Sequence, residues 1–157
     1  EGTQFHPRRR SDRDEHDRRT HSLTSGGVCF SDRRGGLMFF FVDRITEVTP
    51  NKRIVGIKNI VRGENFFYTG IDGHQFLNPV VTCQAGAQLG AWLVMTSTEF
   101  RKRVLLLGAS QIAFPNLARP GDSMELVCEI DALDDDVVLI RTRGVVQDRI
   151  IFDAPVT

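Results

Sequence analysis

The sequence predicts an α+β domain in which one antiparallel sheet wraps around one long central helix. Two strand-like runs come first, a single apolar helix follows, and three or four further strand-like runs close the chain. The helix, from Pro79 to about Thr96, is apolar almost all round, with Val80, Val81, Ala85, Ala87, Leu89, Ala91, Trp92, Leu93, Val94 and Met95. Such a helix must be buried on most sides, and a sheet that curls around it achieves this.

Residues 1–36 form an arginine-rich leader, disordered or extended, and residues 37–157 form the folded domain. The leader holds eight arginines and six acids and few large apolar residues, and the remainder has two more acids than bases. His6, His16 and His21 in the leader lack regular spacing and read as surface residues. With 41% hydrophobic and 25% charged residues and a formal net charge of zero, the chain has the composition of a soluble globular protein. Neither part is basic enough to suggest a nucleic-acid footprint. No apolar run approaches the roughly 18 residues that span a bilayer, and no apolar core follows the N-terminal charges as in a secretory signal. Cys29, Cys83 and Cys128 are odd in number and lack metal-type spacing, so they read as reduced thiols of a cytoplasmic protein.

Met38 to Val48 reads as one long strand, and Pro50-Asn51-Lys52 as the turn that leads to a partner strand over Arg53–Val61. Residues 62–78 are a polar, glycine-punctuated loop. Asn78 suits a helix cap and Pro79 the first helical turn. After the helix and a charged turn, Val104 begins a third strand that reaches Phe114. Pro115 and Pro120-Gly121-Asp122 bracket a loop. Met124–Ile130, Val137–Val146 and Arg149–Phe152 complete the sheet. Asp134-Asp135-Asp136 is a solvated hairpin turn without the spacing of a cation loop. No metal site and no cofactor are expected.

Several short stretches, in this order and spacing, resemble the 3-hydroxyacyl-acyl-carrier-protein dehydratase family (FabZ-like), which has the hotdog fold. They are Phe39-Phe40-Phe41-Val42-Asp43-Arg44, Lys52 to Asn59, Asn65-Phe66-Phe67, Ala85-Gly86-Ala87-Gln88 and Arg119-Pro120-Gly121-Asp122, and the resemblance covers about residues 38–153. It implies a 3-hydroxyacyl or 2-enoyl thioester on acyl carrier protein or coenzyme A, and an acyl tunnel at a homodimer interface. A homodimer is the expected assembly, with a trimer of dimers or a mixed oligomer with a paralogue as the alternatives. In that family a loop histidine removes the α-proton, and an acid on the partner's helix handles the departing hydroxyl. A proton beside a thioester is weakly acidic, so a positioned base is needed. Counting along the matched stretches puts Gly70 at the histidine's position and Gln84 at the acid's. Gly70 has no side chain, and an amide such as Gln84 does not exchange protons at neutral pH.

The substitute catalytic candidates are therefore His74, Asp72, Gln84 and Tyr68. Asp72 can orient a histidine or serve as a base if desolvated, and Tyr68 can donate to a thioester carbonyl. Phe67, Gly70, Gly73, Pro79, Val80 and Gln88 are expected around the substrate. Gln84 and Gln88 are four apart on the helix and share a face; Gln88 matches a position kept for packing and hydrogen bonding, and Gln84 is the ligand contact. Cys83 reads as an inert core thiol. Three functions follow. The first is a dehydratase-like enzyme with non-standard active-site residues. The second is a catalytically silent acyl-binding or partner subunit. The third is an acyl thioesterase in which Asp72 or Glu64 activates water and Gly70 or Gly73 N–H groups polarise the carbonyl.

Overall fold

The computed structural model describes residues 29–31, 37–134 and 136–154, with side chains from Phe40 onward. Most of the arginine-rich leader, the midpoint of the triple-aspartate turn and the last three residues lie outside the described residues. Two short strands open the described chain: β1 (Cys29–Ser31) pairs antiparallel with β2 (Leu37–Phe39).

The main sheet holds β3 (Arg44–Thr49), β4 (Arg53–Asn59), β7 (Ser123–Leu133), β8 (Val138–Val146) and β9 (Arg149–Ala154), hydrogen-bonded in that order and antiparallel throughout. Between β4 and β7 come a small hairpin, β5 (Phe67–Thr69) with β6 (Gln75–Leu77), and the helix α1 (Pro79–Ser97). The start of α1 follows its local sequence. Asn78 Oδ1 accepts the Val80 N–H at 3.0 Å, and Pro79 fills the first position, where no N–H is required.

The helix packs against β4, β7, β8 and β9 on one face of the sheet. Its buried stripe is Val81, Thr82, Ala85, Gly86, Leu89, Gly90, Leu93 and Val94. The stripe meets Ile54, Met124, Leu126, Cys128 and Phe152 in one core. Contact is close at Gly86, where an added Cβ would stand 2.5 Å from Thr142 Cγ2 and 2.8 Å from Phe152 Cζ. Gly144, beneath the same ring, would place a Cβ 2.4 Å from Phe152 Cε1. Phe152 thus fills the space that these two glycines leave between helix and sheet. Burial is less complete than the all-round apolarity of the helix predicts: Val80 and Gln84 are exposed. The sheet of one chain covers one face of a helix, and the opposite face is left for something else. No helix among the described residues is long and apolar enough to cross a membrane.

Two strand expectations are corrected. The predicted strand Met38–Val48 is broken, because residues 40–43 leave the ladder between β2 and β3. Phe41 and Val42 pack against the core there, while Asp43 N–H donates to Ile57 O at 2.9 Å and its carboxylate accepts the Asn59 N–H. The predicted strand Val104–Phe114 is not a strand of the five-stranded sheet. Ala113 bridges Asp153 on the outer edge of β9, with both N···O distances 2.9 Å, while Leu105, Leu106 and Leu107 stand 84%, 57% and 84% exposed. Apolar sequence marks a strand-former, but a strand requires a ladder partner.

Candidate functional site

The polar candidates of the loop sit on the β5–β6 hairpin. Its register pairs Phe67 with Leu77, Tyr68 with Phe76 and Thr69 with Gln75. The connecting turn is closed from within: Gly70 N–H donates to His74 O at 2.8 Å, and Gly73 N–H donates to Gly70 O at 3.0 Å. Gly73 has φ +77°, a conformation glycine adopts without penalty. Asp72 Oδ1 accepts the His74 backbone N–H at 3.1 Å. The carboxylate therefore shapes the turn through the His74 backbone. Asp72 and His74 are exposed, and Tyr68 is 41% exposed with its ring 5.9 Å from that of Phe76. The Arg119 guanidinium lies over the Phe76 ring at 5.3 Å, and Leu77 N–H donates to Ala118 O at 2.9 Å, so the hairpin is backed from the loop before β7.

Gln84 and Gln88 line a cavity of about 460 Å³ that none of the hairpin residues borders. Its other walls include Ala87, Gly90 and Ala91 of the helix, Ile140 of β8, and the leucines at 105–107. Gln88 also serves the fold, since its Oε1 accepts the Phe41 N–H at 2.8 Å. Gln84 is exposed to the cavity. This volume falls within the range of small-ligand sites, and the small helical residues make it. Sequence reasoning missed Ala87, Gly90, Ala91 and Ile140. The available signal was the run of small residues at three- and four-residue spacing.

The structure therefore brings Tyr68, Gly70, Asp72, Gly73 and His74 together on one hairpin and Gln84 with Gln88 on one cavity. It does not bring the two groups together within one chain, because none of the hairpin residues lines the cavity. Phe67 and Pro79 are half-buried where hairpin meets helix, and Val80 is 69% exposed. Glu64, a candidate for activating water, is occupied by an ion pair with Lys58 at 3.0 Å.

Burial pushes the Cys83 thiol up from its ordinary value, so the thiol stays protonated at neutral pH. Burial pushes Cys128 from 9.0 to about 12, opposed by a hydrogen bond from Thr142. A group whose folded pKa is raised contributes stability that is present below the unfolded value and lost above it. The unfolding free energy is thus expected to fall as pH rises from 9.0 towards about 12. Urea titrations over this window should show a shallower decline for Cys128→Ala than for the parent chain.

The FabA-like domain family matches residues 35–155. The FabZ 3-hydroxyacyl-[acyl-carrier-protein] dehydratase of Syntrophomonas wolfei is 36% identical over 100 residues, which are 63% of this chain and 69% of that protein. The FabZ dehydratase of Caldanaerobacter subterraneus is 34% identical over 108 residues, 68% of this chain and 75% of the relative. Among solved structures, the dehydratase heterocomplex ApeI:P of Xenorhabdus doucetiae superposes with a TM-score of 0.57 at 13% identity, covering 74% of this chain and 79% of that one. Zebrafish thioesterase superfamily member 2 gives 0.58 at 11% identity, over 71% and 76%. The Streptococcus mutans protein smu.793, bound to acetyl CoA, gives 0.57 at 13% identity, over 73% and 87%.

Proposed function

The chain belongs to the FabA-like family and is an acyl-thioester-processing hotdog protein, and we propose that its reaction is dehydration of a 3-hydroxyacyl thioester, or the reverse hydration of a 2-enoyl thioester. One observation carries the proposal: a cavity of about 460 Å³, lined mainly by apolar side chains with Lys102, Arg103, Asp134 and Asp136 also in its wall, opens beside Gln84, the helix position at which the resemblance places the family's acid. The acyl chain enters this cavity and its 3-hydroxyl meets the Gln84 amide, which can both donate and accept a hydrogen bond.

Proton transfer falls to the hairpin. His74 takes the α-proton and, as the imidazolium, returns it to the departing 3-hydroxyl, which leaves as water while the C2–C3 double bond forms; Tyr68 donates to the thioester carbonyl, and Asp72 holds the turn that presents them. Within one chain the hairpin and cavity are apart, so the hairpin of a second copy completes the site. The exposed leucines at 105–107 and the sparsely paired outer edge of β9 support docking of that copy on this face, since an open edge and an apolar segment gain from being covered. The carrier is acyl carrier protein or coenzyme A.

A second reading has an observation of its own. Neither Gly70 nor Gln84 can move a proton, and the Gly70 and Gly73 N–H groups are engaged within the hairpin. This favours a silent acyl-binding subunit, alone or beside a competent paralogue, and weighs against the thioesterase. Incubation with 3-hydroxyacyl and 2-enoyl thioesters, followed by mass spectrometry, separates these readings. The dehydratase proposal expects interconversion, with His74→Ala slower by about 100-fold or more, as for loss of a general base. Asp72→Asn, which keeps the acceptor for the His74 N–H, should cost far less. Binding without turnover establishes the silent subunit, and release of free thiol establishes the thioesterase.

A further inference from the structure

Lys58 in β4 and Glu64 in the loop that follows are buried together, their side chains 1% and 6% exposed. The Lys58 ammonium donates to both carboxylate oxygens, at 3.0 and 3.2 Å. Removing two charges from water costs hydration that their attraction does not reliably recover, and apolar side chains of similar volume often serve stability as well. What such a pair adds is direction, because a charged donor and acceptor hold one another at a fixed separation.

The surroundings show what is held. The Lys58 ammonium lies 5.9 Å from the centre of the Phe41 ring, and that ring meets Phe66 edge-on at 5.7 Å. The Phe41 N–H is bound to Gln88 of α1. Phe66 O accepts the Asn78 N–H at 2.9 Å, and Asn78 caps α1. Glu64 and Phe66 lie just before the hairpin and Asn78 just after it. Both ends of residues 67–77 are thus tied to the sheet and the helix through contacts that converge on Lys58.

We infer that Lys58 and Glu64 are a positioning pair, a buried clamp that fixes the hairpin bearing Tyr68, Asp72 and His74 relative to the core. Its consequence for turnover rests on the proposed acyl-thioester reaction, whereas the clamp itself does not. The test is the full chain carrying Lys58→Met and Glu64→Met, which keeps the volume and leaves no lone charge. Its melting temperature should match or exceed that of the parent. Amide hydrogen exchange at Gly70 and Asn78 should be about tenfold faster or more, with β7 and β8 amides unchanged. For enoyl-thioester hydration, kcat should fall with little change in KM.

Exchange at Gly70 and Asn78 equal to the parent's overturns the clamp. Should the double variant fail to fold, Glu64→Asp, which keeps the charge and withdraws the carboxylate by one methylene, decides through the same two amides. A parent chain without turnover overturns the proposed reaction alone, and the exchange comparison still decides the clamp.

Discussion

Replacing Phe152 with alanine is expected to lower the unfolding free energy by about 4 kcal/mol, the middle of the range of losses for a buried aromatic side chain. The ring is fully buried and occupies the space above Gly86 and Gly144, between α1 and the sheet. Closing the void would require the helix to settle onto β8 and β9. Thr142 blocks that movement, since its Cγ2 already lies within 2.5 Å of where a Gly86 Cβ would be. Urea unfolding should show a lower midpoint with an unchanged slope, the signature of lost packing within an intact fold. A loss below about 1 kcal/mol would mean that the helix does not rest on this ring.

The single change Lys58→Met is expected to cost about 4 kcal/mol, because removing one member of a buried ion pair leaves the other charged and unpaired. Glu64 retains its carboxylate in a site only 6% exposed, with its cationic partner gone. The double change to methionine should recover that loss in full. Chemical denaturation of the single and double variants measures the contrast. A single variant as stable as the parent would show that water reaches Glu64 in solution.

Local sequence signals translated directly into structure. Asn78-Pro79 specified the start of the helix because the cap and the proline act within one turn, and Pro50-Asn51-Lys52 specified the β3–β4 turn for the same reason. The strands β4, β7, β8 and β9 were legible because each carries apolar residues that must face a core. The run Phe39-Phe40-Phe41-Val42 misled, since apolar residues can reach a core without joining a ladder. Val104–Phe114 misled because its apolarity does not name a partner.

The candidate site was legible in its parts and not in its assembly. The polar residues of the loop do share one hairpin, and Gln84 does face a cavity. Their separation is a matter of tertiary placement, since no hairpin residue borders the cavity, and residue order does not encode that. The Lys58–Glu64 pair is not legible in the sequence for a similar reason: the two residues are joined by a change of chain direction, which leaves no periodic trace. Ala87, Gly90 and Ala91 look like packing residues, and their role as cavity walls appears only when the opposite wall, Ile140 and the 105–107 segment, is in place.

In the proposed reaction one chain's cavity receives the acyl group and a second chain's hairpin completes the chemistry. Two inactive variants test it together: His74→Ala, which disables the hairpin, and Ala91→Trp, which fills the cavity. Co-refolded at equal amounts, they should regain about a quarter of parental turnover, because half of the dimers are mixed and each holds one intact pairing. A mixture no more active than the two variants measured separately would contradict the shared site.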